Sequence, residues 1–510
     1  MVKNNMGAML NAYPDSIGSN LSCAISLLER PGWKGAFTSF YILPSLYHSD
    51  LDRGFCVVDY DLNEELTSKE NLMSLQNLGI DLKLDFVLNH ASVMSPQFQD
   101  LLKKGDASEY RDFFIDWNKF WEGYGEMTAE GYIQPALEYT EKMFFRKPGL
   151  PILMVRFPDG REVPYWNTFY QKIWEENGQR KYLGQMDLNI QSSKVWEFYD
   201  ETLAKLASYG AKIIRLDAFA YAPKAPGKKN FMNDPETWEV LERVNGLAAK
   251  YGLKLLPEIH ASYGEGVYKA IAQKGYTTYD FFLPGLIIDA IENKSGEYLA
   301  SWARELVDNK ISTVNMLGCH DGIPMLDLKG LLSDERIQEL IDLLVMRGGY
   351  VKNLHGIQNM YYQVNATYYS ALGENDRKML MARAIQMFMP GKPQVWYLDL
   401  FAGKNDYVAM ERAGRDGHKE INRSSLSLVD IETRLQLDIV QKQLELLKMR
   451  NTYNAFSPDA IISAAAKGTE LELRWKTAEE LAVLHADFSK QAFDITITDQ
   501  TTGKILFCMK

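Results

Sequence analysis

No stretch of about 18 apolar residues occurs in the chain, so nothing in it reads as a membrane-spanning helix. The opening MVKNNMGAMLNAYPDS lacks the apolar run and small-residue cleavage site of a secretory leader, which points to a cytoplasmic protein. Cysteine is scarce and scattered. Cys23, Cys56, Cys319 and Cys508 show none of the paired spacings of a zinc site or redox motif, as expected of free thiols in a reducing compartment. Positive charge is in deficit: 56 basic against 67 acidic residues give a net charge of −11. That balance argues against nucleic acid or an anionic membrane as partner, since both demand a basic face. Internal repeats and low-complexity tracts are missing too.

What remains is a 510-residue chain, 46% hydrophobic, able to bury a large core and long enough for several domains. Short β-rich runs alternate with amphipathic helical patterns. Candidate strands are GAMLNAY at 7, GAFTSFYIL at 35, DLKLDFVLNH at 81, AKIIRLDAFA at 211, LKLLPEIH at 253, TTYDFFLP at 277, ISTVNMLGCHD at 311 and PQVWYLDL at 393. Between them, SKVWEFYDETLAKLASYG places Val195, Tyr199, Thr202 and Leu206 on one helix face. NDPETWEVLERVNGLAAKYGLK does the same with Trp238, Leu241, Val244 and Ala248, with Asp234 as candidate cap, Pro235 in the first turn and Gly252 as terminator.

Such units predict an α/β protein, a (β/α)8 TIM barrel. Two spacings are too long for a crossover helix, which predicts two inserted subdomains. The expected order is barrel 1–90, insertion 91–190, barrel 191–321, insertion 322–385 with an acceptor loop, and barrel 386–456. From 457 to 510 the pattern becomes strict alternation, with Leu471, Leu473 and Trp475 on one face and Phe493, Ile495 and Ile497 on another, which predicts a small C-terminal antiparallel β domain.

Polar residues collect at the C-terminal ends of the predicted strands: Asp85, Asn89 and His90; Arg215 and Asp217; Glu258 and His260; His320 and Asp321. A barrel brings these ends together on the face that carries active sites. Burying charges on four strands without a use costs several kcal/mol each, which favours a functional site over isolated structural ion pairs. Asp217, Glu258 and Asp321 suit chemistry at a sugar anomeric carbon, where retaining transfer needs a carboxylate nucleophile and a carboxylic acid about 5 to 5.5 Å apart. Arg215 is expected to hold Asp217 ionised by lowering its pKa, whereas Glu258 needs a raised pKa to act as proton donor.

The motifs DFVLNH, RLDAFAY, PEIH and GCHDG, in this order and on these strands, resemble the four successive motifs of the α-amylase superfamily. The resemblance implies Asp217 as nucleophile, Glu258 as general acid/base and Asp321 as transition-state stabiliser, with His90, Arg215 and His320 holding hydroxyls and orienting the nucleophile. DRGFCVVDY at 52, RKPGLP at 146, YQVNATYYSALGEND at 362, LFAGKND at 400 and EINR at 420 are similar to the sucrose phosphorylase branch of that superfamily. By that similarity Asp52 and Arg423 grip a glucosyl ring, Phe55 and Phe169 wall it, and Gln185, Tyr221, His260 and Gln363 line the subsite. Arg146 and Lys147 fall in the loop that resembles the family's phosphate contact.

The chain departs from the sucrose enzymes at the acceptor side. Where they carry an aspartate contacting fructose, RGGYVKNLHGIQNMYYQVN places Met360. The segment offers Arg347, Lys352 and His355, and no acidic residue occurs from 347 to 373. Losing a carboxylate and gaining cations suits an anionic acceptor. After INR the chain reads Ser424, Ser425 and Leu426, and GRDGHKE adds Arg415, His418 and Lys419, which fit a changed acceptor site and solvated surface charge equally well.

The expectation is a disaccharide phosphorylase working with retention on sucrose 6'-phosphate, giving α-glucose 1-phosphate and fructose 6-phosphate. Plain sucrose, glucosylglycerate or glucosylglycerol as donor, and hydrolysis of small α-glucosides, stay open as alternatives. No metal and no cofactor is expected, inorganic phosphate being a co-substrate. The partners are small sugars and phosphate, with no nucleic acid and no membrane, for a monomer or homodimer.

Overall fold

The computed structural model describes residues 6–145, 149–353, 361–414 and 417–510; the side chains of 179, 352, 353, 361 and 362 lie outside that description. Eight parallel strands form its centre: β1 (Met9–Ala12), β2 (Ser39–Ile42), β3 (Asp81–Val87), β4 (Ala211–Asp217), β5 (Lys254–Pro257), β6 (Thr278–Asp280), β7 (Thr313–Met316) and β8 (Lys392–Trp396). Their order across the sheet is β5-β4-β3-β2-β1-β8-β7-β6, the circular order of the chain, and β5 and β6 approach each other at the seam. The result is a TIM barrel. Each strand matches one of the eight apolar runs of the sequence.

Register decides which side chains meet inside. Arg215 on β4 pairs with Asp85 on β3 and with Leu256 on β5, and Asp217 pairs with Val87. Leu256, Tyr279, Phe281, Val314, Met316 and Cys319 form an apolar plug within the barrel. Beside it lies a polar layer. The Lys83 ammonium stands 3.8 Å from the Tyr41 ring centre, and it donates to Gln394 Oε1 at 2.7 Å and to the Tyr279 hydroxyl.

The crossover helices pack on the outside. Ser193–Ser208 buries Val195, Trp196, Tyr199, Thr202, Leu203 and Leu206, a stripe at three- and four-residue spacing. Glu236–Lys250 buries Leu241, Val244 and Ala248, and Gly252 turns the chain at φ 69° as its terminator. The expected cap is not made. Asp234 accepts no helix N–H; main-chain carbonyls of Asn233 and Pro235 receive Thr237 N and Trp238 N instead.

Between β3 and β4 the chain builds small antiparallel sheets, one pairing Gln179–Asp187 with both Gln171–Glu176 and His90–Ser92. Between β7 and β8 it forms a three-stranded sheet from Ile323–Pro324, Tyr350–Asn353 and Tyr361–Asn365. At the C-terminus β9 (Ile461–Lys467), β10 (Glu470–Lys476), β11 (Glu480–Asp487), β12 (Ala492–Asp499) and β13 (Ile505–Met509) make an antiparallel meander. Leu471, Leu473, Trp475, Ile495 and Ile497 are buried, and Trp475 Nε1 donates to the Phe388 carbonyl at 2.7 Å, tying the meander to the helix that leads into β8. No helix among the described residues is long and apolar enough to cross a membrane.

Candidate active site

At the C-terminal end of β4 the chain must leave the sheet at once. Ala218 adopts φ 52° and opens the turn Phe219–Tyr221, which leaves Asp217 at the rim. Register has already set Asp85 beside Arg215, and β5 ends one residue before Glu258. Arg215 Nη1 therefore lies 2.7 Å from Asp85 Oδ1 and 2.8 Å from Asp217 Oδ1, while Nη2 lies 3.6 Å from Glu258 Oε1. Asp85 is anchored from its other oxygen by the Tyr41 hydroxyl at 2.8 Å. One guanidinium thus spans three carboxylates, from the ends of three neighbouring strands.

Glu258 continues into a second chain of contacts. Its Oε1 is 3.2 Å from His260 Nε2, and His260 Nδ1 is 3.2 Å from Asp327 Oδ1, a buried residue beyond β7. The His260 ring stacks on Phe281 at 3.9 Å. Burial lowers the imidazole's proton affinity, but Asp327 and Glu258 outweigh it and raise its pKa to about 10.

The third carboxylate follows β7. Asp321 Oδ2 meets His320 Nε2 at 3.1 Å, and its Oδ1 meets Lys419 Nζ at 2.6 Å and Arg423 Nη2 at 3.8 Å. Burial opposes its charge, yet the His320 ring, Lys419 and Arg423 hold its carboxyl well below the usual range. Arg423 also pairs with Asp52 at 3.3 Å and donates from Nε to the His320 carbonyl. Phe55 joins the two halves: its ring stacks on His320 at 4.9 Å, and the Arg215 guanidinium stands 5.5 Å from its centre. Asp217, Glu258 and Asp321 accordingly border one pocket.

The remaining wall comes from the segment between β3 and β4. His90 Nε2 and Gln185 Nε2 both lie within hydrogen-bonding distance of the Phe55 carbonyl, at 2.9 and 3.1 Å. Burial holds His90 below its ordinary pKa, so it is neutral. Phe169 packs 5.1 Å from His90 and 5.3 Å from Tyr221. Gln363 stands on the strand Tyr361–Asn365 opposite Pro324, and Asn365 Nδ2 donates to the Asp321 carbonyl at 2.6 Å.

The turn carrying Asp52 is strained. Asp52 and Arg53 have φ of 49° and 46°, which non-glycine residues rarely adopt, and they are followed by Gly54 at φ 113°. A Cβ on Gly54 would stand 2.1 Å from Ser45 N. Arg53 holds the turn by donating to the Arg423 carbonyl, pairing with Asp15 at 3.0 Å and lying over the Tyr13 ring at 4.4 Å.

Several features of this pocket differ from expectation. Burial, with the charges of Glu258 and Asp85, pushes Asp217 up to about 7 despite Arg215. Burial also pulls Glu258 upward, but Arg215 and His260 together hold it down to about 2. The order is the inverse of the one read from the sequence, because the His260–Asp327 pair delivers a cation to Glu258 that the sequence did not place there. Arg347 already has partners in the helical layer. Its Nη2 pairs with Glu292 at 3.0 Å and its Nη1 donates to the Ala371 carbonyl at 2.8 Å, which commits it to the helical layer. Arg146, Lys147 and His355 lie outside the described residues, as does the Lys352 side chain.

Two residue groups have partners that the sequence did not place. Lys419 is no surface charge but an ion-pair partner of Asp321. Asp187, fully buried, accepts from Asn89 Nδ2, Thr168 N and Thr168 Oγ1 at 3.0, 2.8 and 2.7 Å and pairs with Lys224 at 2.8 Å. The Lys224 ammonium also meets Asn89 Oδ1 and the Tyr221 carbonyl, so it fills this oxygen cage with its own positive charge. Among the described residues Cys319, His320 and Asp321 present potential metal-ligand atoms within 4.8 Å. Burial pushes the Cys319 thiol up to about 12, and Lys419 and Arg423 already stand on Asp321, both of which oppose a divalent cation there.

Residues 36–284 match the α-amylase catalytic-domain family model. The chain is 55% identical over 497 residues to a sucrose 6(F)-phosphate phosphorylase of Ilumatobacter coccineus, covering 96% of this chain and 95% of that protein. It is 37% identical over 486 residues to one of Thermoanaerobacterium thermosaccharolyticum, covering 94% of each. The crystal structure of sucrose 6F-phosphate phosphorylase from Thermoanaerobacter thermosaccharolyticum superposes with a TM-score of 0.89 at 34% identity, over 100% of this chain and 98% of that one. Full-length identity to named phosphorylases, on a barrel whose strand ends gather three carboxylates, places the chain in the α-amylase family, among its glycoside phosphorylases.

Proposed function

We propose that the protein catalyses reversible phosphorolysis of sucrose 6'-phosphate to α-glucose 1-phosphate and fructose 6-phosphate, with retention at the anomeric carbon. The observation that carries the chemistry is the sharing of Arg215 by Asp217 and Glu258 on adjacent strands. The phosphorylated donor is carried over from the relatives' names and is supported by the absence of acidic residues from 347 to 373, where Lys352 and His355 stand.

Asp217 forms a bond from its carboxylate oxygen to the anomeric carbon as the fructosyl oxygen leaves with the proton of Glu258. An oxygen of hydrogen phosphate then bonds to that carbon from the vacated face and the ester to Asp217 breaks. The proton left on the phosphate returns to Glu258. Two inversions give net retention. Asp321, held anionic by its cations, would accept sugar hydroxyls and oppose the positive charge of the oxocarbenium-like transition state. Asp52 and Arg423 close the far end of the glucosyl pocket, while Phe55, Phe169 and Tyr221 give it apolar walls, with His90 and Gln185 between them.

Catalysis on this reading needs the proton on Glu258 and the charge on Asp217. A glycosidic oxygen seated against Glu258 competes with His260 for that carboxylate, and positive charge growing at the anomeric carbon lowers the proton affinity of Asp217. Both effects favour the proton on Glu258 and the charge on Asp217. The reading uses no metal or organic cofactor, since the acid, the nucleophile and the charge stabilisation all come from side chains. The protein works in the cytoplasm, as a monomer or homodimer.

The deciding experiment supplies α-glucose 1-phosphate with fructose, fructose 6-phosphate, glycerate or glycerol and measures phosphate release. Fructose 6-phosphate is expected to win on kcat/KM. A win for another acceptor overturns the substrate assignment, and equal glucose release with and without acceptor overturns the phosphorylase chemistry.

A further inference from the structure

Lys419 differs from the other cations of the pocket. The side chains of Arg215, Arg423 and Lys224 are 4, 2 and 1% exposed, and each is fixed by several partners. Lys419 projects from the short turn His418–Asn422, is 27% exposed, and rests its ammonium on Asp321 Oδ1 at 2.6 Å. Asp321 does not depend on it alone, because His320 and Arg423 stand at 3.1 and 3.8 Å. The ammonium can therefore move away and leave Asp321 with His320 and Arg423, and Asp52 with Arg423 at 3.3 Å.

The pocket that Lys419 borders keeps the carboxylates of Asp52, Glu258 and Asp321 when Asp217 carries the glucosyl ester. An anionic co-substrate entering it meets repulsion unless a cation turns toward it. Lysine is suited to this, as a compact point charge on a flexible stem. A phosphate dianion offers it more charge and more acceptor oxygens than a carboxylate already shared with a histidine and an arginine.

We propose that Lys419 is a specificity-determining residue that leaves Asp321 to bind the phosphate group of the incoming co-substrate. The inference rests on the phosphorylase reading and adds one residue to it. The shared chemistry is a phosphate dianion, with inorganic phosphate and fructose 6-phosphate as its two sources.

Lys419→Met and Lys419→Arg, each checked for an unchanged melting profile, would be assayed in both directions. Loss of a charge-assisted bond to phosphate is worth about 10- to 100-fold. In Lys419→Met the KM for inorganic phosphate is expected to rise, and the ratio of kcat/KM for fructose 6-phosphate over fructose to fall, with at least one of the two changing by about tenfold or more. Lys419→Arg should restore most of it. The two readouts distinguish the sources: a change in the first alone assigns Lys419 to inorganic phosphate, in the second alone to the sugar phosphate. A purely structural counter-ion of Asp321 would instead lower kcat equally on all acceptors, leaving the ratio and the phosphate KM unmoved, and that result overturns the proposal. Failure of the phosphorylase reading itself would appear separately, as a wild-type enzyme that releases no phosphate from glucose 1-phosphate with any acceptor.

Discussion

Asp85 Oδ1 lies 2.7 Å from Arg215 Nη1, on strands whose register sets the two residues side by side. Both are buried, at 0 and 3% exposure, so the pair is the foundation on which Asp217 and Glu258 are mounted. Removing Asp85 leaves Arg215 to Asp217 and Glu258 but forfeits a buried charge-assisted hydrogen bond, worth about 1.5–3 kcal/mol. Asp85→Asn is expected to lose stability of that order in urea unfolding and to lose turnover with it, although residue 85 touches no substrate.

Asp217→Asn should abolish turnover and, above neutrality, stabilise the fold. The folded pKa of Asp217 is raised to about 7, so its contribution is fully present below the ordinary carboxylate value near 3.8 and is lost as pH rises through 7. The variant has no such loss. Its melting temperature should match wild type near pH 4 and exceed it at pH 8.

His260 works in another window. Its pKa is raised from 6.5 to about 10, so the stability it contributes is complete below 6.5 and disappears as pH rises through 10. His260→Gln should flatten the fall of melting temperature between neutral pH and pH 10. The same variant frees Glu258 from one of the cations that hold it low, so the acid limb of the kcat/KM profile should shift upward.

Arg347 and Glu292 form a partly exposed pair, 17 and 21% accessible, in the helical layer. Arg347→Ala is expected to cost no more than about 1 kcal/mol in stability. It should leave the preference between fructose 6-phosphate and fructose unchanged, in contrast to Lys419→Met.

The barrel was legible because each strand is a short apolar run closed by a polar cluster, and Asp217, Glu258 and Asp321 stand at the ends of three of them. Alternation of Leu471, Leu473 and Trp475 announced β10 just as directly. The partners of these residues were not legible, since no periodicity links them. Asp327 reaches His260 from beyond β7, Lys224 reaches Asp187 from beyond β4, and Lys419 reaches Asp321 across a long stretch of chain. Arg347 shows the same limit from the other side. Among acid-free neighbours it looked free to bind an anion, while its carboxylate partner, Glu292, sits on a helix far earlier in the sequence. Asp234 had the right residue type for a cap, but main-chain carbonyls took the helix N–H groups first. Local pattern reports the elements and their ends, whereas charge balance at a site is a property of the assembled ring.

In the proposed mechanism Asp217, paired with Glu258 through one guanidinium, is the nucleophile and Glu258 its acid. Glu258→Gln incubated with α-glucosyl fluoride, a donor whose leaving group needs no proton, should accumulate an ester, and digestion with mass analysis should find one hexosyl increment on the peptide containing Asp217. A hexosyl group on a different residue, or turnover that yields β-glucose 1-phosphate, would contradict the assignment.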